Sequence, residues 1–500
     1  MTGAVPDATV TLSTGTLRGR RRGGVVDIVE FRGIRYAAAP RFAPPEPPAP
    51  WSGVRDALDP GPISPQLPAR VASVTGPSSD DDAPQDEDCL RLDVRAPAAA
   101  LTDGVPRPVL VWLHGGAYVI GSASTSWYDT ARLVAEGSEG GVVTVSVGYR
   151  LGVLGWLAAP GVSDGNLGLL DQIAALRWVQ EHVAAFGGDP AQVTVAGQSA
   201  GAHAIACLMT VPEARPLFRR AILQSGQLGL GLSSPQRAAR VAGYVTEGLD
   251  GADPRTAGVD ALLAAQRHAV VRAAGPGGLD SSPAFAPTAG VAPLAAGMTW
   301  SDAASSGHDV LVGATADEIE TFLAISPPLR AARRLPLVGR LASAAGGVVT
   351  RRVFTGPADR FADDAARSAA ELRRRRPDAA RGGARTFSYR FAWRAPASRL
   401  GACHCIELPF LFGAREAWAD APMLRGADWD ADVEPLGAVL RGAWLAFVRH
   451  GNPWTDDLPW PPHSPGAGPT VVLGETERSG ARPSGTTCSG GNGHTRCGHP

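Results

Sequence analysis

The chain has 500 residues, of which 61 are Gly and 43 are Pro, roughly a fifth where average usage is about an eighth. Hydrophobic residues still reach 44%, with 12 Trp and 13 Phe, which excludes disorder along the whole length. All 47 basic residues are Arg, which excludes lysine-based chemistry, and a net charge of −1 with interspersed signs argues against a nucleic-acid partner.

The opening shows no basic stretch followed by an apolar run, so a cytoplasmic location is expected. No uncharged apolar run is long enough to span a membrane. TVTLSTGTLRG and VDIVEFRGIRY alternate apolar and polar residues and predict an antiparallel hairpin. Residues 39–86 are Pro-rich and then acidic, without period, and predict an irregular surface segment. After them come the short apolar runs PVLVWLHGG, GVVTVSVGYR, QVTVAGQS, RAILQSG and HDVLVGAT. Between these lie helical patterns such as LGLLDQIAALRWVQEHVAAFGG, with apolar residues at three- and four-residue steps. Strands alternating with helices predict an α/β fold whose mostly parallel sheet is covered on both faces. The basic run Arg373 to Arg376 ends an amphipathic stretch and reads as a solvated helix C-terminus. Residues 1–475 are expected to form one domain, and residues 476–500 a disordered Gly/Ser-rich tail. Cys488, His494, Cys497 and His499 of that tail are irregularly spaced, so no metal site is expected there.

The pattern G-x-S-x-G occurs twice, at Gly161 to Gly165 and at Gly197 to Gly201. Abundant Gly makes the pattern alone weak, and context separates the two. Ser163 lies in a loop with no strand leading into it. Ser199 follows the β-branched run VTV and precedes the helical AHAIACLM. A strand, a sharp Gly-flanked turn and a helix hold a serine hydroxyl out at the edge of a sheet. Ser199 is therefore the expected nucleophile.

A serine hydroxyl needs a base, and the base needs an orienting acid. His494 and His499 lie in the tail, His450 closes a helical pattern and His463 occupies a Pro-rich loop. His404 lies in a loop just after the strand pattern TFSYRFAW and is the expected base. Cys403 and Cys405 flank it, but adjacent residues of an extended chain point apart, which argues against joint metal ligation. After the strand DVLVG come Asp317, Glu318 and Glu320, and spacing alone does not choose among these acids. The run His114, Gly115, Gly116, Ala117, Tyr118 follows VLVWL, and such a turn aims successive backbone N–H groups at one oxygen. The N–H of Ala200, just after the nucleophile, is expected to join them.

From about residue 10 to 475 the chain resembles the type-B carboxylesterases, the carboxylesterase/cholinesterase family of α/β-hydrolases. The resemblance is carried by FRGIRYA, EDCLRLDV, HGGAYVIGS, YRLGVLGWL, GNLGLLDQIAALRWVQEHVAAFGGDPAQVTVAGQSAGA, LFRRAILQSG, HCIELPFLFG and GNPW. It implies the α/β-hydrolase fold and hydrolysis of small-molecule carboxylic esters, in the manner of bacterial para-nitrobenzyl esterases. It also implies Ser199, Glu318 and His404 as catalytic residues, and Gly116, Ala117 and Ala200 as oxyanion donors. No cofactor or metal is implied, and a monomer is favoured. Tyr118, Trp127 and Phe322 adjoin these segments and are candidate pocket residues. The same acyl-enzyme chemistry on amides or thioesters, or as acyl transfer, is the alternative, and a non-catalytic binding protein of this fold is a further one.

Departures from the family pattern bear on detail. GPISPQ places Ser64 where the family often has the partner of the EDCL cysteine, so Cys89 is expected to be free. Gln198 stands where a Glu usually precedes the nucleophile, Ile319 where a Gly follows the acid, and Arg35 where a Pro is common. The segment between Tyr36 and Trp51 is shorter than usual.

Overall fold

The apolar runs that end in Gly, His or Ser form the middle of one large sheet. The structure, a computed structural model, describes residues 7–23, 26–137, 141–275, 282–326, 345–375 and 384–475. The 476–500 segment and Arg376 lie outside the described residues.

The strands are β1 (Ala8–Leu12), β2 (Gly15–Arg22), β3 (Ile28–Arg35), β4 (Val54–Asp56), β5 (Arg91–Pro97) and β6 (Arg107–Leu113). They continue with β7 (Val143–Val147), β8 (Gly188–Gln198), β9 (Arg220–Gln224), β10 (Asp309–Thr315), β11 (Thr386–Phe391) and β12 (Val471–Leu473). Their order across the sheet is β1-β2-β3-β5-β7-β6-β8-β9-β10-β11-β12, with β4 beside β2. From β7 to β12 every neighbouring pair is parallel, whereas the path from β1 to β7 is antiparallel.

Alternation along the central strands builds two cores. On β6, Val109, Val111 and Leu113 face one core, while Leu110 and Trp112 face the other. β10 repeats this with Val310 and Val312 against Leu311. The helices Leu167–His182 and Ala200–Leu208 cover the first face through Ile173, Leu176, Val179 and Ile205. The helix Glu434–His450 covers the second through Leu440, Trp444 and Phe447. A sheet buried on both faces needs apolar residues at every position, which is why these strands read as continuous runs.

The N-terminal reading needs refinement. TVTLSTGTLRG is itself a hairpin, β1 turning through Ser13 and Thr14 into β2 with Leu12 opposite Gly15, and β3 adds a third strand. Trp51 packs directly on Gly15, leaving no room there for a side chain. The Arg373 to Arg375 run does end a helix, Gly356–Arg375, with Arg374 and Arg375 paired to Glu371 one turn back. Among the described residues no helix is long and apolar enough to cross a membrane.

Parallel strands end at a common edge, so the loops after β6, β8, β10 and β11 meet there. These are the loops that carry the residues singled out from the sequence.

Candidate active site

β8 ends at Gln198, and the helix Ala200–Leu208 begins two residues later. Ser199 between them adopts φ 57° and ψ −120°, a conformation costing a non-Gly residue roughly 1–3 kcal/mol. Its surroundings hold it there. The Ser199 N–H donates to the Gln224 carbonyl on β9 at 2.8 Å. A methyl group on Gly201 would lie 2.1 Å from the Leu113 carbonyl oxygen, and one on Gly197 at 2.7 Å from the same atom. Only glycine lets the helix start this close to β6.

His404 lies in the loop after β11, buried at 4% exposure, with the rings of Phe322 and Phe354 packed 5.2 and 5.3 Å from its own. Its Nδ1–H donates to Glu318 Oε2, which leaves the lone pair on Nε2. Glu318 is fully buried, and its other oxygen accepts from the Thr315 N–H at 2.8 Å. Of the neighbouring acids, Asp317 is turned away, accepting from Arg394 and from the Ala402 N–H, both at 2.9 Å. Ser199 and His404 line one cavity but meet different partners at rest. Gln227 Nε2 donates to Ser199 Oγ at 3.2 Å, and Gln198 Nε2 donates to His404 Nε2 at 3.1 Å. Two amides therefore hold the atoms that a proton transfer between them would join.

The loop after β6 presses against this turn. A methyl on Gly115 would meet the Gln198 carbonyl at 2.9 Å and Ser199 Cβ at 3.2 Å. Gly116, Ala117 and Tyr118 all have positive φ, at 111°, 52° and 64°. Among the described residues, the N–H groups of Gly116, Ala117 and Ala200 donate to no protein acceptor. Ala200 is buried and Gly116 and Ala117 are half-buried, and three unpaired donors at one place can receive one oxygen. His114, stacked 4.3 Å from Tyr149, is pushed down to about 4 by burial and is neutral there.

The cavity holds about 400 Å³ and is walled mainly by Val119, Ile120, Val270, Phe322, Ile325 and Leu408. Trp127 and Trp418 also line it, stacked at 5.3 Å and 17°. Tyr118 is placed elsewhere. It is not among the lining residues but is buried behind them, packed on Trp156, with its hydroxyl donating to His203 Nδ1 at 2.7 Å. Its left-handed backbone turns the side chain into the core. The Cys residues flanking His404 diverge, with Cys403 buried and Cys405 lining the cavity, where its Sγ accepts from Gln198 at 3.4 Å. Cys89 is free and buried close to Ser64, whose Oγ accepts from the Leu151 N–H at 3.0 Å.

Two residues at or near the site were not singled out from the sequence. Gln227 belongs to no motif and is marked only by following the turn after RAILQ. Glu407 stands three residues after His404 in an otherwise apolar run, a charge among hydrophobics that is itself a signal. It is buried at 1% exposure, and neither carboxyl oxygen has a hydrogen-bond partner among the described residues. The Gln224 amide lies near without the geometry of a bond. Burial, and then the charge of Glu318, push Glu407 up to about 7.

Comparison with known proteins identifies the family. Residues 6–329 match the model of the carboxylesterase family. A probable N-octanoylanthranilate hydrolase of Rhodococcus erythropolis is 44% identical over 463 residues, covering 91% of this chain and 96% of that protein. The para-nitrobenzyl esterase of Bacillus subtilis is 33% identical, covering 93% and 94%. Among solved structures, a thermophilic para-nitrobenzyl esterase superposes with a TM-score of 0.74 at 30% identity, covering 91% and 93%. A Geobacillus stearothermophilus carboxylesterase does so with 0.72 at 32% identity and the same coverage. The chain thus has the α/β-hydrolase fold and belongs to the carboxylesterase family of carboxylic-ester hydrolases.

Proposed function

We propose that this enzyme cleaves esters through an acyl-enzyme formed on Ser199, with His404 as base and Glu318 as its orienting acid. The observation that carries this reading is the His404 imidazole, its Nδ1 on buried Glu318 and its Nε2 lone pair turned to the cavity lined by Ser199. Substrate entry releases the Gln198 contact and lets Ser199 Oγ donate to His404 while it still accepts from Gln227, as catalytic bonds often tighten only in the complex. Oγ then attacks the carbonyl carbon while Nε2 takes its proton. The developing oxyanion is received by the N–H groups of Gly116, Ala117 and Ala200, each worth about 3 kcal/mol in the transition state. His404 returns the proton to the leaving alkoxide, the alcohol departs, and water repeats the steps to free the acid. The apolar walls favour uncharged acyl chains, with Trp127 and Phe322 as pocket residues. The small-molecule ester is the expected partner.

The test is turnover of p-nitrophenyl esters of increasing chain length, combined with fluorophosphonate labelling read by mass spectrometry. Wild type should hydrolyse the esters and take the label on the Ser199 peptide; the Ser199→Ala protein should do neither. Label on any other serine, or activity that survives the alanine change, overturns the assignment.

A second reading is favoured by a specific observation. The Rhodococcus relative is described by hydrolysis of an N-acyl compound, octanoyl on anthranilate, and a Pseudarthrobacter oxydans relative at 35% identity is named phenmedipham hydrolase. In this chain Arg70 and Arg267 line the same cavity and are exposed, with no ion pair to any described residue. A carboxylate on a leaving group would find a cation there. N-acyl arylamines are thus the alternative substrates for the same nucleophile.

A further inference from the structure

We propose that Gln227 is the residue that fits this site to N-acyl substrates, secondary amides and anilides, whose leaving nitrogen carries a hydrogen. This rests on the serine mechanism above and specifies which leaving groups it accepts. Gln227 follows β9 and the tight turn through Ser225, φ 51°, and it lines the cavity at only 5% exposure. Its Nε2 donates to Ser199 Oγ at 3.2 Å, and among the described residues this is the only hydrogen bond its side chain makes. The donor end is thus fixed on the nucleophile. Oε1, one amide width away, accepts from no described residue, and because Gln227 lines the cavity this acceptor is open to a ligand donor.

Esters and amides make different demands at this point. A leaving ester oxygen has no hydrogen and needs only the proton held by His404. In a secondary amide, Oγ attack forms the new C–O bond and pushes the carbonyl pair onto the oxyanion. The nitrogen turns pyramidal, its lone pair facing the protonated Nε2 of His404 and its own N–H facing away from the histidine. That N–H has lost its water and requires an acceptor, which Gln227 Oε1 supplies. The C–N bond then breaks as His404 delivers the proton taken from Ser199. The amine leaves, water attacks the acyl-enzyme, and the acid is released. Gln227 transfers no proton; it is a specificity-determining residue.

The test uses one acyl chain on two leaving groups, 4-nitrophenyl hexanoate and hexanoyl 4-nitroanilide, with the anilide-to-ester ratio of kcat/KM as readout. Gln227→Leu should lower the anilide-to-ester ratio of kcat/KM roughly 10- to 100-fold. Gln227→Glu keeps an acceptor and should retain more anilide activity than Gln227→Leu. If Gln227→Leu does not fold by its melting curve, Gln227→Met carries the same expectation. Equal losses on both substrates overturn the proposal. So does a wild type that turns over the ester and not the anilide, which leaves the ester mechanism intact. A folded wild type inactive on both sinks the mechanism itself.

Discussion

The segments around Ser163 and Ser199 spell the same G-x-S-x-G pattern and bury their serines alike, at 6% and 4% exposure. They differ in what surrounds the hydroxyl. Ser163 closes a small loop: it pairs with Ala159 in an isolated bridge, and its Oγ accepts from the Gly165 N–H at 3.2 Å. Its hydroxyl serves its own turn. Ser199 is held in a strained conformation at a junction of four strands' loops, where its hydroxyl contacts a side chain from β9's loop and faces the cavity. A short pattern specifies a turn, and the sheet edge specifies a site.

The largest expected effect tests that contrast directly. Ser199→Ala should cut ester kcat by roughly 10⁴-fold or more, and Ser163→Ala by less than about twofold at a stability cost near 1 kcal/mol. Steady-state turnover on one ester decides it, and similar losses in both variants would erase the distinction. The next effect belongs to the adjacent acids. Glu318→Gln should lose roughly 10³- to 10⁴-fold, because an amide no longer stabilises the imidazolium. Asp317→Asn should lose less than about tenfold, since it breaks a half-exposed pair with Arg394 worth under about 1 kcal/mol. The reverse ranking would move the acid.

How far the sequence reaches follows the same line. Ser199 and the Gly116 loop were legible because strand-then-glycine patterns encode backbone geometry locally. Asp317 and Glu318 were not separable by spacing, because adjacent residues at a strand end differ only in which way the chain turns. The neighbouring Ala402 N–H and Arg394 settle that difference, and both come from sequence some 80 residues away. Tyr118 illustrates the opposite failure: proximity to the Gly115–Gly116 turn predicted a lining residue, but a positive φ sends it to His203. The central strands were visible as apolar runs, whereas β12, only three residues long, has no readable period. Gln227 needed the fold, since nothing local ties a glutamine after β9 to a serine after β8.

Gln198 sharpens the comparison electrostatically. The Ser163 hydroxyl bonds to no titrating group among the described residues, whereas Gln198 Nε2 lies 3.1 Å from the His404 lone pair. Gln198→Glu would place a carboxylate there and favour the imidazolium, which is inactive as a base. The acid limb of the kcat/KM profile should therefore move to higher pH, with turnover at pH 6 relative to pH 8 falling about threefold or more. An unshifted profile would mean the glutamine contact is not kept in the free enzyme in solution.

The smallest effect concerns Glu407 and is read from stability. Its folded value, raised to about 7 by burial, lies above the roughly 4.3 of an unfolded glutamate. A raised carboxyl favours the folded state below the unfolded value, and that contribution is lost as pH climbs through about 7. Glu407→Gln has no such group to ionise. Its melting temperature relative to wild type should therefore rise between pH 5 and pH 8, by roughly 1–3 °C for a chain of this size. A pH-independent difference would show that Glu407 is ionised throughout and has a partner. The expected rise carries a functional meaning. Beside Glu318, a second carboxyl kept neutral below about pH 7 leaves one buried negative charge facing His404 rather than two. The loop that carries His404 therefore bears an electrostatic cost at alkaline pH, and the Ser163 loop, with no buried acid, does not.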